Sequence, residues 1–100
     1  MGNITMKYAI LLHDPADDVG VAVVDLAAGT EAGAVTLDGL SISLIKTVED
    51  IPLGHKIAMH DIPKGNQVLE YGYPIGMTTA SILKGAHVHT HNLKSLRWSR

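Results

Sequence analysis

The chain has no cysteine, no phenylalanine, a single tryptophan and only three tyrosines. Without cysteine there is no disulfide, no thiolate metal site and no cysteine nucleophile; such usage is compatible with a reducing cytoplasm. With so few aromatics, a core has to be assembled from Val, Ile, Leu, Ala and Met. An excess of one charge is missing too. Eight Lys and Arg against ten Asp and Glu leave a formal net charge of −2, which argues against a general nucleic-acid binder with its strongly basic footprint. The apolar runs are short and broken by Asp, Gly or Pro, so none spans a membrane. Ala9 to Leu12 is too short, and too soon interrupted by His13-Asp14-Pro15, to be a secretory signal. The expectation from these absences is a soluble, cytoplasmic protein engaging neither nucleic acid nor membrane.

What is there is the composition of one small globular domain. Hydrophobic residues make up 46% and charged residues 18% of 100 residues, enough to bury roughly two thirds of the unfolded surface. A domain of this size with few catalytic residue types is expected to be one piece of a larger machine.

The patterning is that of short strands. Lys7 to Leu12 reads as a strand ended by the turn chemistry of Asp14-Pro15-Ala16-Asp17. Val19 to Asp25 is a β-branched run of buried-strand length. Val35 to Leu37 and Leu40 to Leu44 alternate around an Asp38-Gly39 hairpin turn. Lys56 to His60 and Gln67 to Tyr71 are further strands, and Gly72 to Gly76 reads as a sharp corner. Helix is scarce, with room for about one turn over Thr78 to Leu83.

One phrase recurs: Asp25-Leu26-Ala27-Ala28-Gly29-Thr30, Asp50-Ile51-Pro52-Leu53-Gly54-His55, Asp61-Ile62-Pro63-Lys64-Gly65-Asn66 and, more loosely, Ser81-Ile82-Leu83-Lys84-Gly85-Ala86. The common form is polar, aliphatic, two variable residues, then Gly and extended chain. The aliphatic residue plugs the core, and Gly accepts the positive φ that ends the turn. The Asp residues are expected to accept local backbone N–H bonds. The spacing is irregular, which excludes a solenoid. The expected fold is a compact all-β domain: residues 7–93 as its body, 1–6 as a loosely held terminus and 94–100 as a basic tail.

Chemistry concentrates in Lys84-Gly85-Ala86-His87-Val88-His89-Thr90-His91-Asn92. Three imidazoles at i, i+2 and i+4 share one face of an extended strand. Neighbours in that row lie roughly 6.5–7 Å apart, but the outer two are about 13 Å apart, too far for one ion without a bend. No metal ligand is therefore assigned within the chain. Substrate binding or acid/base work remains open, as does a solvated face or subunit contact. Gly54-His55-Lys56 sets an imidazole beside an ammonium, a pair suited to a carboxylate. His13 and His60 read as turn residues, Tyr71 and Tyr73 as core packing, and Glu49-Asp50 faces two ways and forms no dyad. In the tail, Arg97 and Trp98 suit a partner anchor, since both types are enriched at interface hot spots.

Taken in order, the blocks Asp50 to Gly65, Val68 to Gly76 and Gly85 to Asn92 resemble the amino-terminal domain of the altronate and galactarate dehydratases, a SAF-type β-clip domain. The likeness covers roughly Lys7 to Asn92. It is strongest in form to members where the domain is a separate small subunit, such as altronate dehydratase small subunits and the alpha subunit of (2R)-sulfolactate sulfo-lyase. The sequence stops eight residues after Asn92, which favours the split form. The resemblance implies a lyase removing water or sulfite from a hydroxy acid by β-elimination. It also implies a divalent iron held mainly by a large catalytic subunit. On this reading His87 and His89 are the catalytic candidates, and His55, Lys56 and His91 bind the substrate. The alternative is a non-catalytic β-clip module for a carbohydrate-like or anionic ligand.

Overall fold

The computed structural model describes residues 5–95, and turn chemistry divides them into nine short strands with no helix among the described residues. These are β1 (Thr5–Leu12), β2 (Val19–Ala22), β3 (Glu31–Thr36), β4 (Ser41–Lys46), β5 (Lys56–Ala58), β6 (Gln67–Glu70), β7 (Tyr73–Thr78), β8 (His87–Val88) and β9 (Leu93–Ser95). The all-β expectation holds. A six-stranded sheet runs β4-β3-β1-β2-β5-β8, and a three-stranded sheet runs β6-β7-β9. All pairings are antiparallel except β1 with β3. That parallel pair shifts register between Met6 and Ile10. The two strands approach so closely there that a Cβ on Gly33 would lie 1.9 Å from the Lys7 carbonyl oxygen.

The repeated turns come together in pairs, and this organises the fold. Leu26 and Ile51 form one antiparallel bridge, Ile62 and Ile82 another, each closed by reciprocal backbone bonds of 2.7–2.8 Å. All four aliphatic residues are buried, at 0–3% exposure, so each contributes about 1.5–3 kcal/mol of apolar transfer. The carboxylates cap across the pairs rather than locally. Asp25 accepts the Leu53 N–H, Asp50 the Ala28 N–H and Asp61 the Lys84 N–H, at 2.8–2.9 Å. Their structural role was legible; their partners, 22 to 28 residues away, were not.

Two apolar clusters result. One is built on β1–β5 around Ile10, Leu12, Leu26, Ile45 and Ile51. The other, with Val19, Ile62, Val68, Ile82 and Val88, joins the far end of the large sheet to the small one.

Several expectations need correction. Thr78 to Leu83 makes no helical turn, because Ser81-Ile82-Leu83-Lys84-Gly85 forms the fourth paired turn instead. The corner lies at Tyr71-Gly72 rather than across Gly72 to Gly76; both residues have positive φ, 58° and 75°, the signature of a type I′ hairpin. Buried Asp17 holds that hairpin by accepting the N–H groups of Tyr71 and Gly72 at 2.8 and 3.0 Å. Tyr71 and Tyr73 are exposed rather than core, and the Tyr71 ring stacks on His13 at 3.7 Å. Pairing begins at Thr5 and reaches Ser95. Arg97 and Trp98 lie outside the described residues. No helix long and apolar enough to cross a membrane occurs among the described residues.

Candidate functional site

Strands β5 and β8, at the end of the large sheet, pair antiparallel with Ile57 opposite His87 and Lys56 opposite Val88. His55 leaves the Pro52 turn just ahead of β5, its N–H bonded to the Pro52 carbonyl at 3.0 Å. The pairing therefore carries His55 to His87, 32 residues away in sequence, and their Nδ1 and Nε2 atoms lie 2.8 Å apart. One of these nitrogens carries the proton that the other accepts.

The histidine row does not run straight. β8 ends at Val88, and the chain turns at once. Asn92, 8% exposed, makes that turn: its Oδ1 accepts the His89 N–H at 3.0 Å and its Nδ2 donates to the His87 carbonyl at 2.8 Å. The N–H groups of Asn92 and Leu93 both reach the His89 carbonyl. Across the strand, the Glu49 carboxylate accepts the His87 N–H at 3.0 Å. His87 and His89 thus have both sides of their backbone fixed while their rings remain accessible.

The extended-strand premise behind the 13 Å span fails because of this bend, and the third nitrogen of the cluster comes from His55, just ahead of β5. Ligand atoms of His55, His87 and His89 all lie within 4.8 Å of one another. Ring centroids are 4.9 Å apart for His55–His87, 4.8 Å for His55–His89 and 5.5 Å for His87–His89. His91 flanks the group, its ring 5.4 Å from that of His87. Burial holds the His87 imidazole below the ordinary histidine range; repulsion from His55, His91 and His89 adds to this and Glu49 opposes it.

Lys56 belongs to a neighbouring feature. Its ammonium lies 3.7 Å from the buried Glu70 carboxylate, which His13 also approaches at 3.9 Å. The nearest carboxylate is thus internal. Lys56, Glu70, Val88, His89 and Leu93 border a cavity of about 310 Å³ between the two sheets, at the low end for small-molecule clefts, about 300–1,000 Å³. His60 is set apart. Its Nδ1 meets the Asp61 carbonyl at 2.8 Å and its Nε2 the Asp18 carboxylate at 2.6 Å.

Sequence reasoning put His55 in the same candidate site as His87 and His89 without showing that its ring would touch theirs, and gave Asn92 and Glu49 no role. Asn92 carried a signal, as the fixed end of the His-Val-His-Thr-His-Asn block. Glu49 carried none, being 38 residues from the backbone it holds.

Fold and site together define a small all-β domain of paired turns that presents a three-imidazole cluster at the end of one sheet. The chain belongs to the altronate/galactarate dehydratase SAF domain family, whose model matches residues 7–96. It is 46% identical over 90 residues to altronate dehydratase of Escherichia coli (strain K12), covering 90% of this chain but 17% of that protein. It is 39% identical over 98 residues to (2R)-sulfolactate sulfo-lyase subunit alpha of Chromohalobacter salexigens, covering 93% of this chain and the whole of that subunit. Galactarate dehydratase (L-threo-forming) of Escherichia coli is 36% identical over 94 residues, of which 16% of its length is matched. The chain therefore spans about a sixth of the dehydratases and all of the sulfo-lyase subunit. It is a SAF domain of a kind associated with lyases and dehydratases.

Proposed function

We propose that this chain is the small subunit of a hydroxy-acid lyase, either a sugar-acid dehydratase such as altronate dehydratase or a sulfolactate sulfo-lyase. It assists β-elimination in an active site shared with a large catalytic subunit. The observation that supports this most is the match across the full length of a subunit alpha, in a chain whose clustered histidines include the exposed His89. β-Elimination takes a proton from the carbon beside a carboxylate and assists departure of hydroxide or sulfite. Imidazole serves either role near neutral pH. His87 and His89 carry that proton transfer, while His55, Lys56 and His91 orient the substrate carboxylate. The divalent iron would be held mainly by the large subunit, where it would polarise the substrate. The ring nitrogens of His55, His87 and His89 would suit part of such a donor set in place of proton transfer. Arg97 and Trp98 anchor the large subunit in this reading.

The test is reconstitution with the large subunit. His87→Ala and His89→Ala should each lower turnover by about 10²–10⁴-fold, the usual size of an acid/base contribution, with assembly intact. Release of water or of sulfite assigns the leaving group. Removal of residues 94–100 should weaken co-purification. Unchanged turnover in both histidine variants, with hydroxy acid bound by the chain alone, would sink the proposal in favour of a non-catalytic binding module.

A further inference from the structure

We infer that His55, His87 and His89 form a three-nitrogen binding face for one divalent transition-metal ion within this chain, with open coordination positions that take a 2-hydroxy carboxylate. The inference rests on the lyase reading for its ligand but gives His87 and His89 to the ion instead of to proton transfer, because a metal-bound ring nitrogen has no lone pair left for a proton; the ion's place is argued from the residues alone.

Geometry comes first. In a tetrahedral site with bonds of about 2.0–2.1 Å, ligand nitrogens lie about 3.4 Å apart. The three nitrogens here are all within 4.8 Å, and His55 Nδ1 and His87 Nε2 are already at 2.8 Å. Closing the set requires the His55 and His87 nitrogens to part by about 0.6 Å, giving up the proton between them, and the exposed His89 ring to turn in on a backbone that Asn92 holds in place.

The surroundings separate this cluster from the other histidines. His60 engages the Asp18 carboxylate and His13 approaches that of Glu70. Among the described residues no carboxylate is ion-paired with the rings of His55, His87 or His89. Acids instead fix the backbone beneath them, as Glu49 does for His87. Three imidazoles gathered from β8 and the segments beside β5 and β8, with no carboxylate ion-paired to their rings, can exchange the His55–His87 hydrogen bond for a shared cation.

The donor set also restricts the ion. Neutral imidazoles without thiolate or carboxylate suit iron(II), zinc, cobalt(II) or nickel(II) rather than magnesium or calcium, which take oxygen. Because the ligands are neutral, the ion keeps its full double charge for an anion. A 2-hydroxy carboxylate offers one carboxylate oxygen and the adjacent hydroxyl, which close a five-membered chelate on a single ion. This moves part of the metal's coordination from the large subunit into the SAF domain.

The untagged 100-residue chain, freed of metal by chelator, is titrated with cobalt(II), followed by its visible d–d absorption, and with zinc by calorimetry. One ion per chain is expected. His55→Ala, His87→Ala and His89→Ala should each weaken binding by at least about tenfold. His91→Ala should stay within about threefold, since His91 lies outside the three-nitrogen set. Far-UV circular dichroism of the metal-free variants checks folding; if one alanine variant unfolds, the corresponding Gln variant replaces it. Added lactate should shift the cobalt spectrum. Absence of cobalt binding, or binding that survives His87→Ala and His89→Ala in folded protein, overturns the inference. If no ion binds but His89→Ala still abolishes turnover in the reconstituted lyase, the metal inference fails and the lyase reading stands. Ion binding with turnover insensitive to His87 and His89 has the reverse consequence.

Discussion

Gly85 is the residue on which the position of the histidine cluster depends, and Gly85→Ala tests that dependence. Its φ is +86°, nearly identical to the +86° of Gly65 in another copy of the turn. The two differ in what surrounds them. A Cβ on Gly65 meets nothing within 4 Å, whereas one on Gly85 would lie 2.1 Å from the Lys46 carbonyl oxygen and 3.4 Å from the Thr47 Cα. The turn cannot move aside freely. The Gly85 N–H is bonded to the Ala58 carbonyl at 2.9 Å, and its carbonyl accepts from Val48 N–H at 3.1 Å.

Gly65→Ala therefore carries only the left-handed penalty, about 1–2 kcal/mol. Gly85→Ala adds a backbone overpacking cost of about 1–3 kcal/mol, for a total of about 2–5 kcal/mol. Against a domain stability of about 5–15 kcal/mol, that is a large loss. Urea denaturation with linear extrapolation measures both variants, and unchanged slopes would show that native stability is what changed. Equal losses for Gly65→Ala and Gly85→Ala would refute the reasoning, because the Lys46 carbonyl would then impose no limit. As β8 starts two residues later, Gly85→Ala should also disturb the His55–His87 contact, visible as shifted imidazole resonances.

Other outcomes follow from the same contacts. Asp17→Asn leaves one of the Tyr71 and Gly72 N–H groups facing an amide N–H, and should cost about 1–3 kcal/mol; a urea midpoint equal to the parent's would show that the hairpin holds itself. For His60, the bond to the Asp61 carbonyl raises the imidazole pKa first, Asp18 adds to it, and burial opposes. A raised folded-state value means the stabilisation is complete below the unfolded value of about 6.5 and is lost as pH rises through the folded one. The stability difference between parent and His60→Gln should therefore shrink from about pH 5.5 to about pH 8; a difference that grew would reverse the assignment.

Much of the fold was legible because its signals are local. Asp, an aliphatic residue and Gly at fixed offsets make a turn wherever they occur, and Leu26, Ile51, Ile62 and Ile82 were readable as plugs from position alone. Failures came where local signals competed. Thr78 to Leu83 has no strong breaker before Gly85, so it resembled a helical turn until its pairing with the Asp61 turn was known. Tyr71 takes a positive φ that its side chain would not advertise, because Asp17, 54 residues earlier, holds its N–H.

By itself the sequence determined an all-β domain of paired-turn phrases, its family, and an imidazole-rich segment containing His87 and His89. These follow from residue types at short spacings, which act through nearest neighbours along the chain. Only the tertiary structure decided that His55 joins that segment, that Asn92 bends the row and that His91 is left at its flank. Those outcomes depend on the β5–β8 register, which buries Ile57 in one apolar cluster and Val88, on the opposite face, in the other, a choice that no short stretch of chain can make alone.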